Sequence, residues 1–359
     1  MNQAGKPNTI KVINQTIIRN ICMRRTALTC AEISAETGIS ITTVRAIMNE
    51  MLARGELVSL GLAESSGGRR SEQFIINDEC YEGISICVTQ RPNSIHTTEK
   101  DILVSRVNIH SEVLETQVIS LRRYQDLAGT IKEILSDRIT EKTRAIGIGV
   151  PGIVSPDGYI QKVLETLYTV DVLPVLKQHF DMPIIVENDL RSSALGFSRQ
   201  IQKELHPAEL YSAELYSAPS TVAFINFEAS CNQISAGFVE GNKIIHGMGN
   251  YAGELWLMPY DDKRTFCEAI YNASSEKECM RIIALLLSVI CCTINPQHIM
   301  LCSDADFFID GEAIGEYITK RLPPPMIPKL SVDSDFKKYF IAGMASLTAD
   351  AIFTEGEGK

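Results

Sequence analysis

The sequence has no long hydrophobic run, no C-x-x-C cysteine pair and only one tryptophan, Trp256. No eighteen consecutive residues are apolar, which excludes a transmembrane helix of ordinary length. Ten cysteines are present, but none forms the C-x-x-C pair that clamps a metal or runs dithiol redox chemistry. The N-terminal segment also lacks the apolar core of a signal peptide, so we expect a cytoplasmic protein with reduced thiols.

The composition indicates a folded protein of more than one domain. The chain has 359 residues, of which 45% are hydrophobic and 22% are charged. Its net charge of -10 is unevenly distributed, because residues 1–76 carry nine Lys or Arg against six Asp or Glu, and the remainder carries 25 against 38. A basic N-terminal part on an acidic body is a weak indication of nucleic-acid binding, since phosphates attract only the surface that faces them.

The N-terminal part has the pattern of a helix-turn-helix. Apolar residues recur at helical spacing between residues 14 and 24, which predicts a first helix. Thr29 and Glu32 form the spacing of a capping box, and this predicts a second helix, which Gly38 would end. Ser40 is placed to cap a third helix, so two short helices are joined by a tight glycine turn.

The third helix is predicted to bury one face and to present a polar face outward. Two short strands, GELVSL and QFIIN, follow it around the glycine-rich loop GLAESSGGRRS, and strand, loop and strand form a wing. Polar side chains on such a helix are suited to base edges, and arginines on a flexible wing are suited to phosphates. An ordinary small domain that binds no DNA is the alternative. The predicted DNA contacts are Ser40, Thr42, Thr43, Arg45, Asn49, Arg69 and Arg70.

The body reads as α/β structure. AIGIGVPGIVSPDG and MPIIVENDLRSSALGF each begin as a buried strand that ends in a polar or glycine turn. Ligands of α/β folds lie outside the carboxyl ends of such strands, so Asn188 and Asp189 are well placed for polar recognition. An Asp at this position is about as often a helix N-cap. The segment AELYSAELYSA, over residues 208–218, repeats five residues in tandem and is predicted to be a surface helix or linker.

Three motifs in this order resemble the ROK family, named for repressors, open reading frames and sugar kinases. IGIGVPGIVSPDG resembles the family signature G-I-G-x-P-G-x-V, VENDLRSSALG resembles E-N-D-x-x-x-x-A-x-G, and NYAGELWLM resembles A-G-E-I-G-H-M. The resemblance covers nearly the whole chain. It implies a winged helix-turn-helix in residues 1–80, followed by the two-lobed actin-like (ribonuclease H-like) sugar-kinase fold. The implied first α/β lobe is 81–195, completed by a C-terminal helix in 336–359, and the second is 196–335.

The nucleotide motifs of the family are degraded. Where the family has a D-x-G-G-T turn, this sequence has Ser85, Cys87 and Val88 in place of the Asp and both glycines. The second phosphate loop keeps one glycine in ASCNQISAG, and Cys302-Ser303 replaces the Gly-Gly beside adenosine. Glycine turns allow backbone amides to approach phosphates, and side chains now occupy that space. The sequence therefore predicts a pseudokinase with no catalytic residue and no enzyme activity.

The structural zinc of the family is not expected here. Leu257 replaces the family's His, and only Cys267 remains near the three cysteine positions. One thiol cannot form a tetrahedral site. The sequence predicts neither a metal nor a cofactor.

The sugar side of the family's site is retained in part. The resemblance carries the sugar contacts over to Asn188, Asp189, Glu254 and Glu268. In the kinases that Asp is the general base. Without ATP, Asp189 is left to accept a hydrogen bond from a hydroxyl. A helix cap at Asp189 and surface remnants at Glu254 and Glu268 are the alternative interpretation.

These features favour a DNA-binding transcriptional regulator of carbohydrate metabolism, in the manner of a repressor, whose body senses a sugar or sugar derivative. We expect it to bind a double-stranded DNA operator as a homodimer or homotetramer and not to insert into a membrane. Two alternatives stay open. In one, the body is a protein-docking or oligomerisation module without a sugar ligand. In the other, the chain is an ATP-dependent sugar kinase with a DNA-binding appendage.

Overall fold

The chain folds into two compact units, one formed chiefly by residues 1–81 and the other by residues 82–201 and 219–359. No helix among the described residues is long and apolar enough to cross a membrane. The structure is a computed structural model, and it describes residues 7–24, 26–62, 71–90, 100–121, 127–162, 168–205, 220–229, 231–303 and 307–354.

The first unit is a winged helix-turn-helix. Its three-stranded sheet has the order β1-β3-β2, with both pairs antiparallel. The first helix begins earlier than the predicted residue 14, because the helix continues through exposed positions such as Ile10 and Ile13 that burial periodicity does not reveal. The elements are α1 (Pro7–Cys22), β1 (Leu28–Thr29), α2 (Cys30–Thr37), α3 (Ile41–Ala53), β2 (Leu57–Leu62) and β3 (Glu72–Ile76).

Local capping fixes the two helices of the motif. The Glu32 N–H donates to Thr29 Oγ1 at 3.3 Å, and the Thr29 N–H donates to Glu32 Oε2 at 2.7 Å, which confirms the predicted capping box. Gly38 ends α2 with φ of 70°, a left-handed conformation that glycine adopts without strain. Ser40 then caps α3, since its Oγ accepts from the Thr43 N–H at 3.2 Å.

A buried ion-pair cluster ties α1 to the end of α3. The side chain of Glu56 is 3% exposed, and it contacts Arg19 Nη2 at 3.1 Å and Arg54 Nε at 2.7 Å. Separating α1 from the end of α3 would leave the buried charge of Glu56 without a partner, which is costly. The ion pairs therefore hold these two elements in one arrangement. The wing loop that joins β2 to β3, with Arg69 and Arg70, lies outside the described residues.

The second unit contains two five-stranded mixed sheets with the same strand order. When the five strands of each sheet are numbered in chain order, they lie in the order third, second, first, fourth and fifth from one edge to the other. The first sheet is β11-β7-β4-β5-β6. Its part of the chain comprises β4 (Glu82–Gln90), β5 (Lys100–Asn108), β6 (Val113–Leu121), α4 (Leu127–Ser136), β7 (Thr143–Val150), β8 (Ile153–Val154), β9 (Tyr159–Lys162), β10 (Tyr168–Asp171), α5 (Leu173–Lys177), β11 (Ile184–Asn188) and α6 (Asp189–Leu205).

The second sheet repeats this order as β14-β13-β12-β15-β16. Its core packs on the apolar face of a long helix, α8, which is buried over most of its length as its sequence predicts. The elements are β12 (Thr221–Glu228), β13 (Gln233–Glu240), β14 (Lys243–Ile244), α7 (Phe266–Tyr271), α8 (Glu276–Thr293), β15 (His298–Ser303), α9 (Gly311–Thr319), β16 (Lys329–Asp333) and α10 (Phe336–Ala351). The limits of the two lobes, 81–195 with 336–359 and 196–335, stay a prediction.

The last helix packs closely on the elements that lead to the predicted ligand site. A Cβ at Gly343 of α10 would overlap the Ser192 carbonyl of α6, and a Cβ at Gly196 would overlap the Tyr339 carbonyl. The two helices therefore cross with their backbones in contact. Gly149 of β7 similarly makes room for the ring of Phe340.

We predict that Gly343→Ala strongly destabilises the second unit, by about 3 kcal/mol, because the added methyl group must push α10 away from α6. Gly315→Ala is the matched control, since Gly315 also lies in a helix but a Cβ there meets no atom within 4 Å. The control should be neutral or stabilising, because Ala has the higher helix propensity. Urea unfolding followed by Trp256 fluorescence measures both, and equal midpoints would contradict the packing described.

Candidate functional site

Asn188 and Asp189 lie where β11 passes directly into α6. The Asn188 Oδ1 accepts hydrogen bonds from the N–H groups of Leu190 and Arg191, both at 3.0 Å. Its Nδ2 donates to the Gly152 carbonyl at 3.0 Å and to Asp189 Oδ1 at 2.8 Å. The capping role that the sequence suggested for Asp189 is thus filled by Asn188, and Asp189 is the first residue of the helix. Asn188 orients the Asp189 carboxyl group.

Asp189 is placed so that its carboxyl group holds a proton near neutral pH. Burial is the largest cause and raises the pKa of Asp189 to about 7. The nearby carboxylates of Glu228 and Glu254 raise this pKa further, while the Leu190 N–H and the charge of Lys100 act against them. A protonated carboxyl group both donates and accepts hydrogen bonds, which suits a hydroxyl group as its partner.

A buried ion cluster lies around the start of α6. The Arg191 side chain is 1% exposed, and its Nε donates to Glu187 Oε1 at 2.7 Å. The other oxygen of Glu187 meets His246 Nε2 at 2.7 Å, and Arg191 Nη1 donates to the Asn250 carbonyl at 2.8 Å. Burial alone would raise the pKa of Glu187, but its hydrogen bonds to His246 and Arg191 hold that pKa below the usual value.

One donor of this cluster has no protein partner. Arg191 Nη2 is buried and makes no hydrogen bond within the described ranges. The charge of Arg191 also acts on Glu254, where it opposes the rise in pKa that burial causes, so the guanidinium lies near this predicted carboxylate. The sequence-based prediction missed Arg191. A charged residue in the first turn after a buried strand end was the available signal.

Glu254 is already engaged by the tryptophan that follows it. Trp256 Nε1 donates to Glu254 Oε2 at 2.6 Å, across a short 3-10 turn over Leu255–Leu257. Gly253, with φ of 97°, brings this turn against β13, where the Ala236 N–H donates to the Gly253 carbonyl at 2.8 Å. Burial raises the pKa of Glu254, and the Trp256 bond opposes that effect. The indole therefore occupies one oxygen of the carboxylate and leaves the other.

Glu268 serves its own helix. It lies exposed in the first turn of α7, and its Oε2 accepts from the Thr265 N–H at 2.7 Å. The Glu268 N–H in turn donates to Thr265 Oγ1 at 3.3 Å, which completes a capping box. The carboxylate of Glu268 is thus held at the start of α7 by its hydrogen bond from the Thr265 N–H. Glu254, in contrast to Glu268, is among the charges that raise the pKa of Asp189.

Side chains fill the region of the degraded nucleotide motifs. Cys87 of β4 is buried, and burial raises the pKa of its thiol to about 12, with a hydrogen bond to Ser85 acting against the shift. Cys302 at the end of β15 is also buried, and burial raises its pKa to about 12. Gly237, the one glycine left in ASCNQISAG, is needed for packing, because a Cβ there would overlap the Leu190 carbonyl.

The family's zinc does not fit the residues present. Leu257 has no donor atom and lies exposed on the 3-10 turn. Cys267 is buried in the core of the second sheet and is the only thiol retained near the three cysteine positions, whereas a structural zinc site needs four ligands. Within the described part of the chain, no three His, Cys, Asp or Glu residues are grouped so that they could hold a metal ion.

The predicted DNA contacts of α3 lie together on its solvent face. Thr42, Arg45 and Asn49 are exposed, and Thr43 is half-buried beside them. The Ser40 hydroxyl lies 2.9 Å from that of Thr42 and 2.8 Å from that of Thr43, so hydroxyl groups cluster at the start of the helix. The polar side chains on this face can form hydrogen bonds with base edges and phosphates.

The repeated five-stranded sheets, joined to a winged helix-turn-helix unit, define a protein of the actin-like sugar-kinase fold with a winged helix-turn-helix head. A solved ROK family transcriptional regulator, described as a homolog of the E. coli MLC protein, has a TM-score of 0.69 and 15% identity, with 96% of this chain and 98% of that chain covered. The ROK hexokinase from Thermus thermophilus has a TM-score of 0.55 and 15% identity, with 74% of this chain and 96% of that chain covered.

Residues 99–206 match the ROK family. The chain is thus similar to the ROK family over this segment. It is 22% identical over 270 residues to the xylose repressor of Bacillus subtilis, a match that covers 70% of this chain and 62% of that protein. The chain thus spans less than two thirds of this relative.

We predict that Asp189→Asn stabilises the protein increasingly as the pH rises from about 5 to about 8. The pKa of Asp189 in the folded protein, about 7, lies above the ordinary value of 3.8, so its stabilising contribution is full at low pH and is lost as the pH rises through about 7. Asn stays neutral and avoids that loss. The measurement is the free energy of unfolding in urea at several pH values, compared with wild type.

Asp261→Asn is the control for this pH series. A hydrogen bond from Arg264 lowers the pKa of Asp261, so that carboxylate is ionised in both states throughout the window. Its difference from wild type should not change with pH. A difference for Asp189→Asn that is equally flat would contradict the proton assigned to Asp189.

Proposed function

We propose that this chain is a DNA-binding transcriptional repressor of carbohydrate metabolism whose body senses a sugar or sugar derivative and transfers no phosphoryl group. The observation that carries the proposal is the combination, in one chain, of a helix-turn-helix with an exposed polar third helix and a kinase-type body whose phosphate region is filled by side chains. The xylose repressor of Bacillus subtilis supports it as a relative.

In this proposal α3 is the recognition helix. Arg45 and Asn49 lie one turn apart on its exposed face, and Ser40, Thr42 and Thr43 add hydroxyl donors at its start. An Arg pairs with guanine, an Asn pairs with adenine, and hydroxyl groups bind phosphates. Arg69 and Arg70 of the wing are proposed to bind the flanking backbone or minor groove.

The proposed sugar site is formed by Asn188, Asp189 and Glu254, with Glu268 as an outer fourth candidate. Asp189 offers both a donor and an acceptor, and Trp256 leaves one oxygen of Glu254 available. Arg191 Nη2 is a buried donor with no hydrogen-bond partner among the described residues. Such alternating donors and acceptors match the hydroxyl groups of a sugar. Trp256 supplies an apolar ring beside Glu254. The face of a sugar ring that carries C–H groups can pack on this ring.

We propose that phosphoryl transfer is absent for a physical reason. A kinase must place backbone N–H groups and a metal around the phosphates of ATP. Here Cys87 and Cys302 are buried side chains with strongly raised thiol pKa values, and Gly237 is committed to packing against α6. Phosphoryl transfer from ATP to any sugar by the purified protein would contradict this part of the proposal.

A second candidate function keeps DNA binding and drops the sugar. The Trp256 Nε1 bond to Glu254 favours it, because the indole takes a carboxylate oxygen that the family uses for the ligand. In that case the body is a docking or oligomerisation module.

We predict that Arg45→Ala weakens binding to a DNA fragment selected from a random library by the wild-type protein, with a Kd at least about tenfold higher. The lost guanidinium removes a base or phosphate contact of α3. Lys243→Ala removes an exposed cation from the body and is the matched control, with unchanged affinity expected. Fluorescence anisotropy at fixed salt measures all three proteins. Equal affinities would contradict the assignment of α3.

We predict that a sugar changes the fluorescence of Trp256 in a saturable way, because a ligand at Glu254 must meet or displace the only indole of the chain. D-xylose, D-glucose and N-acetyl-D-glucosamine are the probes. At a hundred times its Kd, the binding sugar should also stabilise the protein by about 2.7 kcal/mol.

Glu254→Ala should abolish both responses, and Glu268→Ala decides whether the third carboxylate, Glu268, takes part. A Trp256 signal and a melting temperature that no sugar changes would favour the docking function instead.

A further inference from the structure

The edge strand β6 of the first sheet is exposed on both faces and along its outer side. Within the described residues it pairs with β5 alone, so its outer backbone N–H and C=O groups have no neighbouring strand. Leu114 is 52% exposed and Val118 is 60% exposed. A nine-residue strand of this kind is a template for pairing with another strand.

Most of the usual protections of an edge strand are missing from the regular part of β6, because its one bulge lies at the start of the strand, between Val113 and Glu115. Its sequence, VLETQVISL, contains no Pro, Gly or Lys, and its one charged residue, Glu115, is paired with Arg106 at 3.3 Å. The corresponding edge strand of the second sheet, β14, has only two residues. Short strands, prolines and lysines are the devices that prevent edge pairing. The two sheets share their strand order and differ at this edge.

We propose that β6 is a self-association surface, on which β6 of a second copy of this chain pairs in antiparallel orientation. The pairing of β6 with β5 is regular from Glu115 to Leu121, after a shift opposite Arg106 and Val107. The centre of this regular part is Val118. Antiparallel pairing around Val118 joins the first sheet of one copy to the first sheet of the other across a two-fold axis. The result is one continuous sheet of ten strands.

The residues of β6 suit this register. Val118 meets its own copy at the axis, and Thr116 lies opposite Ser120 of the second copy, which pairs hydroxyl groups. Glu115 lies opposite Leu121, so the two Glu115 carboxylates stay about 20 Å apart and do not repel each other. A strand of another protein would have to supply the same alternation by chance, whereas a second copy supplies it by symmetry.

A two-fold assembly also agrees with the proposed DNA binding, and this step alone rests on it. Helix-turn-helix proteins read two half-sites with two heads related by a two-fold axis. The interface itself requires neither DNA nor sugar. Its test therefore uses the full chain without either ligand, so failure of the interface and failure of the proposed function are distinguishable.

Val118→Lys tests the interface by placing two ammonium groups directly opposite each other at the axis. We expect the mass in sedimentation velocity to fall by half relative to wild type, with circular dichroism unchanged. Val332→Lys is the matched control, because Val332 is 47% exposed on β16, an edge strand of the second sheet, and its mass should equal that of wild type. A monomeric wild type, or equal masses for wild type and Val118→Lys, would overturn the proposal.

Disulfide cross-linking decides the matter if Val118→Lys fails to fold. Val118→Cys, in a background with the exposed Cys231 and Cys292 changed to Ser, should form a covalent dimer on mild oxidation. Thr116→Cys in the same background should not, because its copies lie about 13 Å apart along the strands. Equal cross-linking of the two variants would overturn the register, and no cross-linking of Val118→Cys would overturn the interface.

Discussion

The arrangement of the body around its candidate site depends on the ion pair between Glu187 and Arg191. A guanidinium that is 1% exposed cannot stay buried without charged and hydrogen-bonding partners, and it obtains them from the end of β11 and from the carbonyl of Asn250. His246 binds the second oxygen of Glu187. One buried cluster therefore fixes both the first turn of α6 and the loop of the second sheet. Asp189 lies in the first of these segments and Glu254 follows the second, so a molecule that contacts both carboxylates would act on segments that the ion pair already joins.

The positions of the degraded nucleotide motifs have packing roles in this structure. The glycine that survives in the second phosphate loop, Gly237, is explained by its contact with the Leu190 carbonyl, so its presence says nothing about nucleotide. The lost glycines of the first turn are replaced by side chains that belong to the core, such as Cys87 between the sheet and α10. Packing thus accounts for the side chains at these positions. At the proposed sugar site, the indole of Trp256 is a partner of Glu254.

Local signals in the sequence were sufficient for the head and insufficient for the site. The capping box of Thr29 and Glu32 and the cap of α3 by Ser40 were predictable because each depends on residues three positions apart. The same rule predicts the capping box that holds Glu268, and the ligand contact that the resemblance implies for its carboxylate stays a prediction. The early start of α1 was missed, because exposed isoleucines before residue 14 break the burial pattern that reveals a helix.

The sequence by itself determined the order of the elements, the fold they resemble and the loss of the phosphate glycines, since each of these depends on residue type at short range. The tertiary structure alone decided which groups meet. It placed Arg191 against Glu187 and Asn250, gave the capping role at α6 to Asn188, and directed the single tryptophan onto Glu254. Hydrogen bonds and ion pairs reach only about 3 Å, and the partners joined here lie as many as 59 positions apart along the chain. Only the packing of two sheets and two glycine-crossed helices brings such residues within that distance.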